Sequence, residues 1–339
     1  PFPLYSNIPI MTINTLGQSI VDDPRIFCDM GIIDNGPGNM NCITDPYNNY
    51  NGKISIEIRG SSSQMFPKKG YGFSTLDASL NPQNVSLLGM PAENDWVLLA
   101  SYNDKAKIRD VLVFDIVRAM GWYTSRARFV ELVINGDYKG LYIFLEKIKQ
   151  DKNRVDVSSL KTNMNAGDSL TGGYVYKMDW GTGNAGASWN TTQGVTLQNH
   201  DPNWDVITPT QKNYLINYLN NFESRLFGAN FTDPNLGYRK VANPYSFADD
   251  FIIQEFTNNL DGYRASNYMH KDRESKCGRH TLGPYWDYGI TLGNANFCFG
   301  ESTTGWQIDN GCTGVGVSTW IQRMFQDQWF KNLTNCRWN

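Results

Sequence analysis

The 339-residue chain lacks any run of eighteen apolar residues, so nothing in it can cross a membrane as a helix. It also lacks a charge excess. Against 33 Asp+Glu stand 30 Lys+Arg, a net charge of −3, which argues against a nucleic-acid binder with its usual basic stripe. Histidine is scarce: His200, His270 and His280 are scattered, neither HExxH nor CxxC occurs, and a zinc site has no ligand set to draw on. There is no G-x-S-x-G, and so few histidines leave little from which to build a Ser-His-Asp triad. Pro1 is not followed by a charged segment and an apolar one, so a targeting signal is expected to have been removed or to lie outside these residues.

What remains is an ordinary globular composition, with 40% hydrophobic and 19% charged residues, which sets disorder and fibrous folds aside. The length suits two domains or one large two-lobed one. Six cysteines allow fifteen pairings. The close pairs Cys28–Cys42 and Cys298–Cys312 suit loop staples, leaving Cys277 and Cys336; six buried thiols in a cytosolic protein is the alternative. Loop-rich, Asn- and Gly-rich chains of this kind favour an oxidising compartment, and secretion to the extracellular space or cell surface is expected.

Strand signals dominate the first 150 residues. Ile54 to Arg59 alternates with period two, Trp96 to Ala100 is a short apolar run, and Asn135-Gly136 between Phe129–Ile134 and Tyr138–Leu145 predicts a hairpin. One helix is expected from Asp104, as its cap, to Gly121. The second half reads as more helical, with a helix over 209–226 and another starting at Ser246 with Asp249 in capping-box position. Segments 162–173 and 181–203 read as long loops around short strands. The coarse reading is an α/β (α+β) protein, with a β-rich lobe over 1–160 and an α-rich lobe over 161–339.

Gly181-Thr-Gly183-Asn-Ala-Gly186 matches G-x-G-x-x-G, but no helix pattern follows it, so a flexible loop is the better reading. The informative stretch runs from Asn258-Asn259-Leu260-Asp261 through Ser266-Asn267 to Tyr285-Trp286-Asp287-Tyr288-Gly289. An Asp, an Asn six positions on, and then D-Y-G is the order of parts that phosphoryl transfer requires. One carboxylate accepts the acceptor's hydroxyl proton, while an amide oxygen and a second carboxylate offer hard ligands to magnesium. An Asx-turn at Asp261 and a surface ion pair at Asp287 are the bland alternatives. Upstream, Lys68-Lys69 follow a Gly/Ser turn suited to an anion, and Lys105, Lys107 and Arg109 form a further cationic group. Cations at a helix start oppose its dipole, which suggests that they face something anionic. Glu146, at the hairpin's end, is a candidate for orienting a phosphate-binding lysine.

Taken together these segments resemble the CotH kinase family, the atypical kinases named after spore coat protein H. The matching stretches are Glu57 to Gln64, Phe66-Pro-Lys-Lys69, Asn94 to Ala100, Asp104-Lys105 with Arg109, Asn135 to Tyr142 with Glu146-Lys147, Asn259 to Tyr263, Ser266-Asn-Tyr268, and Gly283 to Asp287 with Gly293-Asn294. The resemblance implies a two-lobed atypical protein-kinase-like fold that binds ATP and magnesium between its lobes and phosphorylates Ser or Thr of a protein. It implies Asp261 as catalytic base, and Asp287 with Asn267 as metal ligands. Lys68 or Lys69 would reach the nucleotide phosphates, with Lys105 and Arg109 nearby and Glu146 as the orienting carboxylate. Trp286 and Tyr142 would flank the adenine unless they are core aromatics. Where the family reads W-D-[FY]-D, this chain has Gly289 in place of the second Asp, and its Arg-Asn pair at the helix start is Arg109-Asp110. An adhesion or glycan-binding module on a degenerate kinase scaffold is the alternative from another class, drawn from the 10 Trp and 18 Tyr.

Overall fold

The computed structural model describes residues 4–180, 186–310, 312 and 314–339. Residues 181–185 of the glycine motif lie outside them. The chain is a mixed α/β protein that divides into two compact units: residues 1–107 with 125–147, and residues 108–124 with 148–339.

The first unit carries β1 (Tyr5–Ser6), β2 (Ile10–Asn14), β3 (Ile26–Ile33), β4 (Asn41–Cys42), β5 (Tyr50–Arg59), β6 (Gly70–Leu76), β7 (Asp95–Leu99), β8 (Ala127–Ile134) and β9 (Asp137–Glu146). Seven of them close a barrel in the order β2-β3-β5-β6-β7-β9-β8, with β1 and β4 paired separately. Every neighbouring pair in the barrel is antiparallel except β2 and β8, whose parallel ladder (Ile10 against Glu131, Ile13 against Ile134) seals it. The alternation anticipated along β5 turns Ile54 and Ile56 inward, where they meet Met30, Phe73, Trp96, Val130 and Phe144 in a closed apolar core. The Asn135-Gly136 turn forms as expected. Both residues hold positive φ (53° and 77°), as a two-residue turn that follows strand twist demands.

The second unit holds α1 (Arg109–Ala119), α2 (Gly167–Leu170), β10 (Tyr174–Met178), β11 (Ser188–Asn190), β12 (Thr196–Asp201), α3 (Pro209–Phe227), α4 (Pro244–Phe256), β13 (Asn267–Lys271), β14 (Thr281–Leu282), α5 (Val317–Met324) and α6 (Gln328–Trp338). An antiparallel sheet in the order β11-β12-β10-β13-β14 packs through Tyr174, Tyr176 and Met269 against Leu215, Leu219 and Phe222 of α3 and Phe247 of α4. Helix α3 starts where the sequence predicts, with Thr208 and Gln211 forming a capping box ahead of Pro209.

Two helix starts differ from expectation. α1 begins at Arg109, because Lys107 takes a left-handed backbone (φ 59°) and the chain turns over 102–107; the buried Asp104 instead accepts a bond from Ala106 N. Lys105 and Lys107 therefore precede the helix, and the conflict with its dipole does not arise for them. α4 begins at Pro244, two residues ahead of Ser246, since proline suits a first helical position. Asp249 is no cap. It is buried and ion-paired to Arg337 of α6 at 2.7 Å.

Of the two cysteine pairs proposed, Cys298–Cys312 is a disulfide. Cys28 and Cys42 are free buried thiols on β3 and β4, and Cys277 and Cys336 are free and exposed. No helix among the described residues is long and apolar enough to cross a membrane.

Candidate functional site

The second unit brings the loops on either side of β13 and β14 together. The ladder pairs Met269 with Leu282 and His270 with Thr281, and Gly283 N continues it onto Tyr268 O at 2.8 Å. The chain leaving β14 therefore runs back along the start of β13. Asp287 consequently comes to Ser266, whose Oγ lies 3.4 Å from Oδ2 of the carboxylate. Asp287 is exposed and left-handed (φ 66°), and Ser266 is left-handed too (φ 52°). Such backbones cost roughly 1–3 kcal/mol each outside glycine and cluster at functional sites.

Helix α1 and the segment after it hold this loop from behind. Asp110, 3% exposed, accepts Tyr288 N–H on Oδ1 at 2.6 Å, a charge-assisted bond of about 1.5–3 kcal/mol that offsets strain of the same size. Thr124 Oγ1 donates to Tyr285 O at 3.0 Å, Arg109 Nη2 to Leu292 O at 3.4 Å, and Phe114 stacks on Trp286 at 6.5 Å. Arg109 thus acts on a loop carbonyl of its own unit. Trp286 is half-buried among Tyr123, Ile148, Val155 and Tyr268. The departure at Gly289 falls beside the same helix: a Cβ there would stand 3.6 Å from Asp110 Oδ2.

Asn267 opens β13 with its amide nitrogen on Gly262 O at 2.6 Å. Its side chain also touches Asp250, a carboxyl with one oxygen lacking a hydrogen bond and its pKa pushed up to about 7 by burial. Asp250, Gln254, Asn259, Asn267, Tyr285 and Tyr288 surround a cavity of about 10 Å³, room for one water. Asp261 lies on the turn after α4, and its carboxylate is held by Arg264 Nε at 3.0 Å and Nη2 at 2.9 Å. Arg264 is anchored in turn on Cys312 O. The sequence reading did not foresee that guanidinium partner, although it stands three residues from Asp261 on the same turn.

The lysines belong to the first unit. Lys68 Nζ donates to Leu141 O at 2.5 Å and sits 4.2 Å over the Tyr142 ring. Burial, then the neighbouring Lys107 ammonium, push its pKa down to about 8. Lys107 Nζ donates to Ser101 O, and burial lowers its pKa too. Lys69 bonds Gln64 O, and Lys105 is exposed. Two partly desolvated ammonium groups repelling one another over backbone carbonyls favour an anion. Lys107 rather than Lys105 is the partner of Lys68, a choice that adjacent lysines in sequence could not reveal.

Two roles expected in this unit meet obstacles. Tyr142 is 2% exposed inside the barrel, stacked on Tyr71, with its hydroxyl on Lys69 O; it is a core aromatic with no open face for adenine. Glu146 is buried, but the cation paired with it is Arg126 (2.9 Å), not Lys68 or Lys69.

Magnesium takes one or two carboxylates and keeps several waters. Asp287 offers one exposed carboxylate of that kind, and the buried Asn267 directly follows the Ser266 that Asp287 approaches. No cluster of three His, Cys, Asp or Glu forms among those residues, so a cage built wholly from protein side chains is absent there.

The second unit thus carries a strained, exposed carboxylate at Asp287, and the barrel unit carries two partly buried lysines, Lys68 and Lys107. The model of the CotH kinase protein family matches residues 56–339, and the chain belongs to that family. It is therefore a kinase-like protein. Comparison with curated proteins gives no match.

Proposed function

We propose that the protein transfers phosphoryl groups from ATP, with magnesium, to Ser or Thr of a protein substrate outside the cell. In this reading the barrel unit is the N-terminal lobe and the helix-rich unit the C-terminal lobe of a two-lobed kinase-like fold. Family membership supports it, and the observation that carries it is the convergence of Ser266-Asn267 and the strained, exposed Asp287 on one edge of the β13–β14 ladder. The Cys298–Cys312 disulfide agrees with an oxidising compartment.

Magnesium, when bound, neutralises charge on the transferring phosphoryl group. Asp287 and Asn267 would hold it. Lys68 and Lys107 would meet phosphate oxygens, relieving their mutual repulsion. Asp261 would orient the acceptor hydroxyl, a positional task compatible with its Arg264 partner, because phosphoryl transfer depends mainly on alignment and electrostatics. No arrangement among the described residues favours the glycan-binding alternative.

The test is autophosphorylation with labelled ATP. Asp261→Asn and Asp287→Ala should each abolish it, and turnover at the wild-type rate in either refutes the assignment. ATP with magnesium at about 100 times the dissociation constant should add roughly 2.7 kcal/mol of stability. The absence of any thermal shift at millimolar nucleotide would count against the whole reading.

A further inference from the structure

We infer that Asp110 is a positioning residue for the cation site, aiming Asp287 from behind; this rests on the function proposed above. The Asp287–Tyr288 peptide carries the N–H that Asp110 accepts at 2.6 Å. Rotation of that peptide plane is the ψ angle of Asp287. With φ held at 66°, fixing ψ fixes the direction in which the Cα–Cβ bond that carries the carboxylate leaves the backbone. Asp110 is well placed to do this. It is 3% exposed, sits in the first turn of α1, where the helix dipole stabilises a negative charge, and belongs to the element that also grips Trp286 and Leu292. The loop is tied on the far side as well, by Asn294 Nδ2 to Gly289 O at 2.7 Å. Between these ties only the Asp287 side chain is left exposed. Gly289 completes the arrangement, since its missing side chain leaves Asp110 Oδ2 close to the loop. The acidic side chain beside residue 289 is thus delivered by the helix, while Asp287 is exposed.

The experiment is titration of the whole protein with Mn²⁺, followed by calorimetry and by the paramagnetic signal of the free ion, with no nucleotide and no turnover required. Asp110→Ala should weaken Mn²⁺ binding about 10–100-fold, the cost typical of losing a group that orients a metal ligand. Asp110→Asn keeps an acceptor of the same shape and should stay within about threefold of wild type. A folded Asp110→Ala protein with wild-type affinity overturns the inference, as does an Asn variant that loses as much as the Ala variant. If Asp110→Ala does not fold, Asp110→Glu displaces the acceptor by one methylene and should lose at least about tenfold; unchanged affinity there is equally fatal. Asp287→Ala runs in parallel. Undiminished Mn²⁺ binding in that variant removes the proposed site itself, and the inference with it, whereas loss at Asp287 with none at Asp110 removes the inference alone.

Discussion

The C-terminal helix is secured by one ion pair whose removal has a calculable cost. Arg337 on α6 donates from Nε to Asp249 Oδ1 at 2.8 Å and from Nη2 to Oδ2 at 2.7 Å, while Trp122 Nε1 reaches Oδ2 at 2.6 Å. Asp249 is fully buried; the arginine side chain is 33% exposed. Taking one partner from a buried pair costs about 3–5 kcal/mol, because a charge remains without compensation. Two features lower that figure here. Trp122 still donates one bond, and water can enter the corner that Arg337 vacates. Arg337→Ala should therefore cost about 2–3 kcal/mol, or roughly 4–12 °C in melting temperature for a unit of this size. Replacing both charges, as Asp249→Asn with Arg337→Met, should recover most of the loss, since a neutral pair leaves no stranded carboxylate. Urea unfolding monitored by tryptophan fluorescence reads both variants. A single-variant loss below about 0.5 kcal/mol would refute the reasoning, as would a double variant weaker than the single one.

Lys68→Met should weaken nucleotide binding about 10–100-fold, one charge-assisted contact's worth, measured by calorimetry at pH 7. Wild-type affinity should also fall as pH rises through about 8, where Lys68 loses its proton, while the Met variant, with only Lys107 left to titrate, depends less steeply on pH over that range. The stability trend runs the other way. The folded pKa lies below the ordinary 10.5, so the unfolded chain holds the proton longer, and wild-type stability should rise between about pH 8 and 10.5. Absence of that rise would show Lys68 to be solvated. Reducing the Cys298–Cys312 bond, which spans 14 residues, should cost about 3 kcal/mol. At pH 8 iodoacetamide should label Cys277 and Cys336 but spare Cys28, whose thiol burial pushes up to about 11; rapid labelling of Cys28 in the native protein would contradict its placement.

Local chemistry was legible in the sequence wherever a few adjacent residues decide the outcome. Asn135-Gly136 requires a turn that tolerates two positive φ angles, and the pattern over 209–226 reads as a helix; both formed. The nearness of Asp287 to Ser266 was foreseeable only as an order of parts, since the β13–β14 register that produces it depends on pairing across the second unit. Tertiary partners were hidden altogether. Arg126 pairs with Glu146 across twenty positions, Asp110 reaches Tyr288 across 178, and neither leaves a periodic trace. The helix start at 109 was missed because the left-handed backbone at Lys107 falls on a residue with no intrinsic preference for it. The Cys28–Cys42 staple failed for a similar reason: closeness along the chain says nothing about which strands carry the two thiols.

The parallel seal between β2 and β8 has a practical consequence for anyone producing this protein. The family match begins at residue 56, within β5, so β2, β3 and the first half of β5 lie upstream of it. An expression clone trimmed to the matched stretch would remove the staves that shut the cask. The surviving end of β5 and the whole of β8 would be left as bare margins, each offering unpaired amides and carbonyls to a margin on another molecule. Such a clone should precipitate or form strand-exchanged assemblies, whereas one that starts before Ile10 keeps the hoop whole.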